Sequence, residues 1–358
     1  MKYRAEIDGL RALAVVPVIL YHAGFQLFSG GFVGVDVFYV ISGYLITNII
    51  LMDIDKGKFS LVHFYERRAR RLLPALFFIM LISLPFAWLL LISTDLKAFA
   101  QSLVAVSTFT SNILFWQESG SYFAATSELK PLLHTWSLAV EEQYYVLYPL
   151  FLMLVWQFAK SWVVAILIVL FLLSLGLAQW GAYNHPVATF YLLPMRGWEL
   201  LIGVFASFYL KNHQHPSSKN INQFASILGL LLILFSIFIY DKNTPYPSLY
   251  ALVPTIGTVL VILFAVKGVL VNSLLSIKAI AGIGLISYSA YLWHVPLLVF
   301  ARHQHYNELS LRVTMTLIFC TFVFSYLTWK YVENPFRNKK IFSRRSIFIS
   351  SLAGSLFF

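Results

Sequence analysis

Three ionisable residues stand in the first two apolar runs of the chain: Arg11, His22 and Asp36. A charge inside an apolar span is costly, and by default it marks a functional site. Arg11 and His22 are eleven residues apart. At about 100° per residue this is three helical turns, with both side chains on nearly one face and about 16 Å apart along the axis. Asp36 lies as far beyond the turn Phe28-Ser29-Gly30-Gly31 as His22 lies before it. Two antiparallel helices therefore place His22 and Asp36 at similar depth. A carboxylate within reach of an imidazole fixes its tautomer and supports its protonated form. The same two residues also read as a buried polar pair that pins two helices together.

A second constellation is cationic. Arg67, Arg68, Arg70 and Arg71 fall within five positions, just before the third apolar run and Pro74. Guanidinium groups offer planar forks to phosphate oxygens, so the run suits a multiply charged phosphate ligand. It reads equally as a basic anchor against anionic lipid.

A third lies in Pro131 to Tyr145, where His134, Ser137 and Glu141 are spaced by three and four and share one face if helical. A serine nucleophile normally sits on a strained turn such as Gly-x-Ser-x-Gly, which is absent here. A polar site for sugar hydroxyls, with His134, Glu141 and Glu142 on the acceptor side, is the better reading. Arg196 with Glu199 reads as an i,i+3 pair, His294 as either a site residue or a satisfied core histidine, and Glu333 with Arg337 as a helix end. The pairs His213/His215 and His303/His305 lie in polar connections with no third ligand in sight, and no metal is assigned.

The elements that must position these residues are membrane helices. Of the 358 residues, 59% are hydrophobic and only 11% charged, and the mean hydropathy is +0.76. Soluble domains carry about 25% charged residues. The net charge of +11 fits cytoplasmic anchoring of membrane helices better than nucleic-acid binding. Cys320 is the single cysteine, which excludes a disulfide framework. Apolar runs near the length of a span occur around 10–27, 32–52, 72–93, 143–160, 162–182, 197–210, 224–240, 249–266, 280–300 and 311–332. The expected fold is therefore an all-α integral membrane protein with a ten-helix bundle. Residues 98–116, broken by Ser, Thr, Gln101 and Asn112, read as interfacial or re-entrant, inside a long outer loop from 94 to 142. With the amino terminus inside, eighteen Lys and Arg fall inside and five (Lys97, Lys130, Arg196, Lys242 and Arg302) outside. That asymmetry orients the bundle. Asp8 and Arg11 interrupt what would be a signal-peptide flank, so the first helix reads as retained.

Taken as a set, these blocks resemble the acyltransferase-3 family of bacterial membrane acyltransferases that O-acetylate surface polysaccharides, in particular the O-antigen acetylase type. The resemblance rests on Arg4 to Ala12 with Tyr21-His22, Gly31 to Phe38 with Ser42 to Leu45, Tyr65 to Pro74, His134 to Tyr145, and Ser287 to Pro296 with Glu333 to Arg337. It implies a ten-helix acyltransferase domain, here residues 1–340. Residues 341–358 read as the start of an eleventh helix, with no SGNH-type domain present. It implies acetyl-CoA as a donor substrate rather than a bound cofactor, and His22 as the catalytic histidine with Arg11 essential as well. It assigns Arg67, Arg68, Arg70 and Arg71 to the donor. The expected partners are acetyl-CoA, a glycan or lipid-linked glycan such as lipopolysaccharide, and membrane lipids, with no nucleic acid. The expected place is the bacterial inner membrane, amino terminus cytoplasmic. Asp36 would orient His22, which acts as general base on a sugar hydroxyl or as an acyl-imidazole relay. The rival reading is a transporter of an anionic or lipid-linked substrate, which would favour matched repeats that the sequence does not display.

Overall fold

The computed structural model describes residues 3–118, 122–123, 129–212, 218–304 and 309–358. Regular structure among them is entirely helical. In chain order the helices are α1 Ala5–His22, α2 Gly34–Asp55, α3 Leu61–Leu90, α4 Ser93–Ser107, α5 Ser111–Glu118, α6 Thr135–Phe158, α7 Val163–Asn184, α8 Pro186–Tyr191, α9 Leu193–Asn212, α10 Lys219–Ile239, α11 Leu252–Phe264, α12 Leu270–Leu275, α13 Lys278–Leu285, α14 Ser287–Gln304, α15 Leu311–Thr328, α16 Asn334–Arg337 and α17 Arg344–Phe357. Helices satisfy their backbone groups internally, which apolar surroundings demand. Ser60, Ser218, Ser310 and Ser343 start four of them, each accepting the amide three residues on.

Among the described residues, six helices are long and apolar enough to cross a membrane, or seven if α13 and α14 count as one broken span. This is a multi-pass membrane architecture, with fewer qualifying helices than the ten runs in the sequence. Helix α1, with Glu6, Asp8 and Arg11, and helix α9, with Arg196 and Glu199, are not among the six. The charges that single these helices out chemically also lower their apolar character.

Boundaries differ from the sequence reading in two places that matter. Helix α3 begins eleven residues before the apolar run at 72, so the arginine run lies inside a helix. Helix α6 begins at Thr135, so Ser137, Glu141 and Glu142 sit on its first turns rather than in an outer loop. Residues 98–116 are divided between α4 and α5 by a turn in which Phe109 adopts a φ of 56°.

The chain forms two compact units. The first comprises Met1–Lys58 and Val140–Leu285, the second Phe59–Ala139 and Ile286–Phe358. In the first unit α2 and α9 run parallel. A Cβ on Gly43 would lie 1.9 Å from the carbonyl oxygen of Leu200, and one on Gly203 would lie 2.1 Å from that of Val40. Missing side chains thus let two backbones touch, as small residues do in membrane helix pairs. Three candidate spans separate α2 from α9 in sequence, which parallel full crossings require. Helix α1 lies antiparallel to the start of α2, where a Cβ on Gly34 would meet the Ala14 carbonyl at 2.3 Å. In the second unit α3 and α17 run side by side in one direction, Arg344 beside Glu66 and Gly354 beside Phe77.

Gly43→Val is expected to destabilise the protein by about 1–3 kcal/mol through overpacking at α9. Gly176→Ala, on α7 with open space around its Cβ position, is expected to leave stability unchanged or slightly raised. Thermal unfolding of the detergent-solubilised protein reads both.

Candidate active site

His22 ends α1 and is half-buried. Its Nδ1 lies 2.9 Å from the carbonyl oxygen of Val18, one turn back. A carbonyl only accepts, so Nδ1 carries the hydrogen, and in the neutral ring Nε2 carries the lone pair. That is the tautomer of a general base or nucleophile. The ring stands edge-on to Tyr21, centroids 5.2 Å apart. Arg11, three turns earlier on α1, reaches Asp8 Oδ1 through Nη1 at 3.5 Å.

Asp36, expected to orient His22, is turned to α9 instead. Its Oδ1 accepts from Arg196 Nη1 at 3.0 Å, and the same nitrogen donates to Glu199 Oε1 at 2.9 Å. Arg196 Nε donates to the carbonyl of Phe190 at 3.0 Å. Its guanidinium lies over the rings of Phe190 and Tyr246. Asp36 and Glu199 are fully buried, and Arg196 is 1% exposed. The reason is helical phase. Gly34 faces α1, and Asp36, two residues on, points about 200° away. It shares a face with Gly43, seven residues later, which touches α9. Arg196 shares a face with Gly203 in the same way. Two matched spacings, Asp36 to Gly43 and Arg196 to Gly203, carried this pairing in the sequence; proximity to the first hairpin concealed it.

Two further parts of the first unit are polar. Glu141 Oε1 accepts from the hydroxyls of Ser42 and Tyr145. One turn and a half further, Thr47 donates to Tyr148 at 3.0 Å, and Tyr148 stacks on Tyr144. These bonds line a seam between α2 and α6 in which Glu141 takes part; Glu142, the next residue of α6, is half-buried.

His134, proposed from sequence for the acceptor side, belongs to the second unit and is 1% exposed. Its ring stands 5.3 Å from that of His294 and 5.4 Å from that of Tyr291. Its carbonyl accepts from Tyr291 Oη at 2.9 Å, and Ser137 Oγ lies 2.6 Å from that hydroxyl. His294 is fully buried, with Nδ1 2.6 Å from the Tyr291 carbonyl. These residues pack the start of α6 against α14; His134 is an interior residue there, not a surface one. Their i,i+3 spacing on α14 was readable, but their partner on α6 was not. Glu333, also fully buried, accepts from Ser289 and Arg337 at 2.5 Å each.

The arginine run does not act as four equivalent cations. Arg70 is 3% exposed. Its Nε meets Glu66 at 2.9 Å, and its terminal nitrogens donate to the carbonyls of Phe336 and Phe342 at 3.0 and 2.8 Å. Glu66 also accepts from Arg344 at 2.9 Å. Arg70 therefore fastens the segment ahead of α17, and its guanidinium, expected from sequence to face a phosphate, is spent on interior partners. Arg67, Arg68 and Arg71 are half-buried on other faces of α3, with Arg68 over the Phe64 ring. No group of three or more His, Cys, Asp or Glu side chains suited to a metal occurs among the described residues. His213, His215 and His305 lie outside the described residues.

Removing the cation from the buried triad strands two carboxylates. Arg196→Met is expected to cost about 3–5 kcal/mol. Adding Asp36→Asn and Glu199→Gln to that variant should restore part of the loss. Thermal midpoints of the single and triple variants test this coupling.

The acyltransferase domain profile matches residues 4–330. The peptidoglycan O-acetyltransferase OatA of Listeria monocytogenes is 32% identical over 355 residues, covering 94% of this chain and 56% of that protein. The O-acetyltransferase OatA of Staphylococcus aureus strain NCTC 8325 is 31% identical over 354 residues, covering 94% of this chain and 58% of that protein. The chain thus spans a little over half the length of these relatives. No solved structure matches it. A profile match over nearly the whole chain, together with relatives about one third identical along it, places the chain in the acyltransferase-3 family of membrane proteins.

Proposed function

We propose that this chain is a membrane O-acyltransferase. It moves an acetyl group from acetyl-CoA on the cytoplasmic side to a glycan hydroxyl on the outer face of the bacterial inner membrane, with its amino terminus in the cytoplasm. The observation that carries this reading is the His22 imidazole held by the Val18 carbonyl, which leaves Nε2 as the basic nitrogen. Family membership supports acyl transfer. The names of the relatives favour a peptidoglycan-type glycan over lipopolysaccharide as acceptor.

In the direct route, Nε2 takes the proton from the sugar hydroxyl as its oxygen attacks the thioester carbonyl. The C–S bond breaks, and the imidazolium returns the proton to the departing thiolate. The products are the acetyl ester and CoA. In the relay route, Nε2 attacks the thioester carbonyl and the C–S bond breaks to expel CoA thiolate. The sugar hydroxyl then attacks the acyl-imidazole, the C–N bond breaks to free His22, and the hydroxyl proton passes to the thiolate. Val18 takes the orienting role that Asp36 was expected to fill. Arg11, three turns from His22 on the same helix, steers the pantetheine chain. Arg67, Arg68 and Arg71 supply charge for CoA phosphates. Glu141 and Glu142 serve the acceptor, where a carboxylate already accustomed to hydroxyl donors suits a sugar.

His22→Ala is expected to lower glycan-dependent CoA release by about 10²–10⁴-fold, with an unchanged thermal midpoint. The assay uses full-length protein in nanodiscs with acetyl-CoA and peptidoglycan fragments. Release that survives His22→Ala would remove the histidine from the chemistry. In the same assay Arg68→Ala and Arg71→Ala should each raise KM for acetyl-CoA about tenfold at unchanged thermal midpoint. Arg70→Ala should instead lower the midpoint. An unchanged KM in the first two would detach the run from the donor.

A further inference from the structure

The second unit contains an apolar groove of about 670 Å³ between α3, the turn that ends α15 and α17. Leu73, Phe77 and Leu81 form one wall, and Ile347, Gly354 and Phe358 face them. It follows α3 from Ala69 to Leu81, about 18 Å at 1.5 Å per residue. Gly354 keeps it open, because a Cβ there would lie 2.5 Å from the Phe77 ring. Of the two serines on its wall, Ser351 spends its hydroxyl on the Ile347 carbonyl.

One end of the groove is strongly basic. Phe336 lines the groove and stacks on Phe342, and the segment between them carries Lys339 and Lys340. Arg345 lies two residues before Ile347. All three cations are exposed. Their neighbours Arg337 and Arg344 hold Glu333 and Glu66, whereas these three pair with no carboxylate among the described residues.

We infer that this groove binds an anionic glycerophospholipid of the bilayer, with one acyl chain along α3 and α17 and its phosphate against Lys339, Lys340 and Arg345. A narrow trough that is apolar along its length and cationic at a single end matches a molecule with one apolar tail and an anionic head. Polar lining is confined to Tyr331, Ser350 and Ser351, so an acyl chain suits the groove better than a polar partner does. Basic sites beside membrane helices favour anionic headgroups, and each further cation adds to the preference. The site stands on geometry separate from the acyl-transfer reading.

The test is native mass spectrometry of the full-length protein released from nanodiscs of equimolar phosphatidylglycerol and phosphatidylcholine. The wild type should retain phosphatidylglycerol about a hundredfold over phosphatidylcholine. The variant Lys339→Gln/Lys340→Gln/Arg345→Gln should lose that preference with its thermal midpoint unchanged. Ser351→Phe, which fills the groove, should lose retention of both lipids. Equal retention of the two lipids by the wild type would overturn the assignment, as would an undiminished preference in the triple variant. Should Ser351→Phe fail to fold, the triple variant decides, because its three positions are exposed.

Discussion

Arg196 brings a positive charge into the interior of the first unit and meets Asp36 and Glu199 on a single nitrogen. Away from water, a charge is tolerated only where a counter-charge and hydrogen bonds replace its hydration. That requirement governs how α2 and α9 pack. A guanidinium reaches a carboxylate on the neighbouring helix at 3.0 Å when the two backbones come close, and Gly43 and Gly203 allow that approach. Helix phase then follows. With Asp36 committed to α9, the opposite face of α2, at Gly34, is left for α1. Helix α1 in turn carries His22 and Arg11.

The second unit obeys the same requirement with other residues. Arg70 is as buried as Glu66, and three of its nitrogens are used, one on the carboxylate and two on backbone carbonyls of the segment that leads to α17. Glu333 is satisfied by a hydroxyl and a guanidinium. The buried charges are thus held by interior pairings, and His22 and His294 each rest a ring nitrogen on the carbonyl one turn back, that of Val18 and that of Tyr291. A backbone carbonyl one turn back is a fixed acceptor that moves only with the helix itself. It orients a histidine without adding a second charge to an apolar environment.

Much of this was readable in the linear chain. Apolar runs announced membrane helices, and residues such as Arg11, His22, Asp36, Arg196 and Glu199 stood out because an ionisable group in such a run has no solvent. The motif set from Arg4 to Arg337 indicated the family. What misled was distance along the chain. Asp36 follows His22 across a short turn, and that closeness hid the fact that a helix displays each residue on only one side. Arg67, Arg68, Arg70 and Arg71 look alike in sequence, yet 100° steps send Arg70 toward Glu66 and the interior and leave its neighbours half-buried.

Composition and periodicity by themselves determined that the protein is helical, membrane-embedded and equipped with buried charge, because burial of backbone and of side chains has one-dimensional signatures. Tertiary structure alone decided which charge answers which. Partners such as Asp36 and Arg196, or His134 and His294, are brought together from positions 160 residues apart in each case. Nothing local encodes that meeting: it depends on which helix faces touch, and in the first unit that was settled by glycines whose significance appears only when two backbones pack against each other.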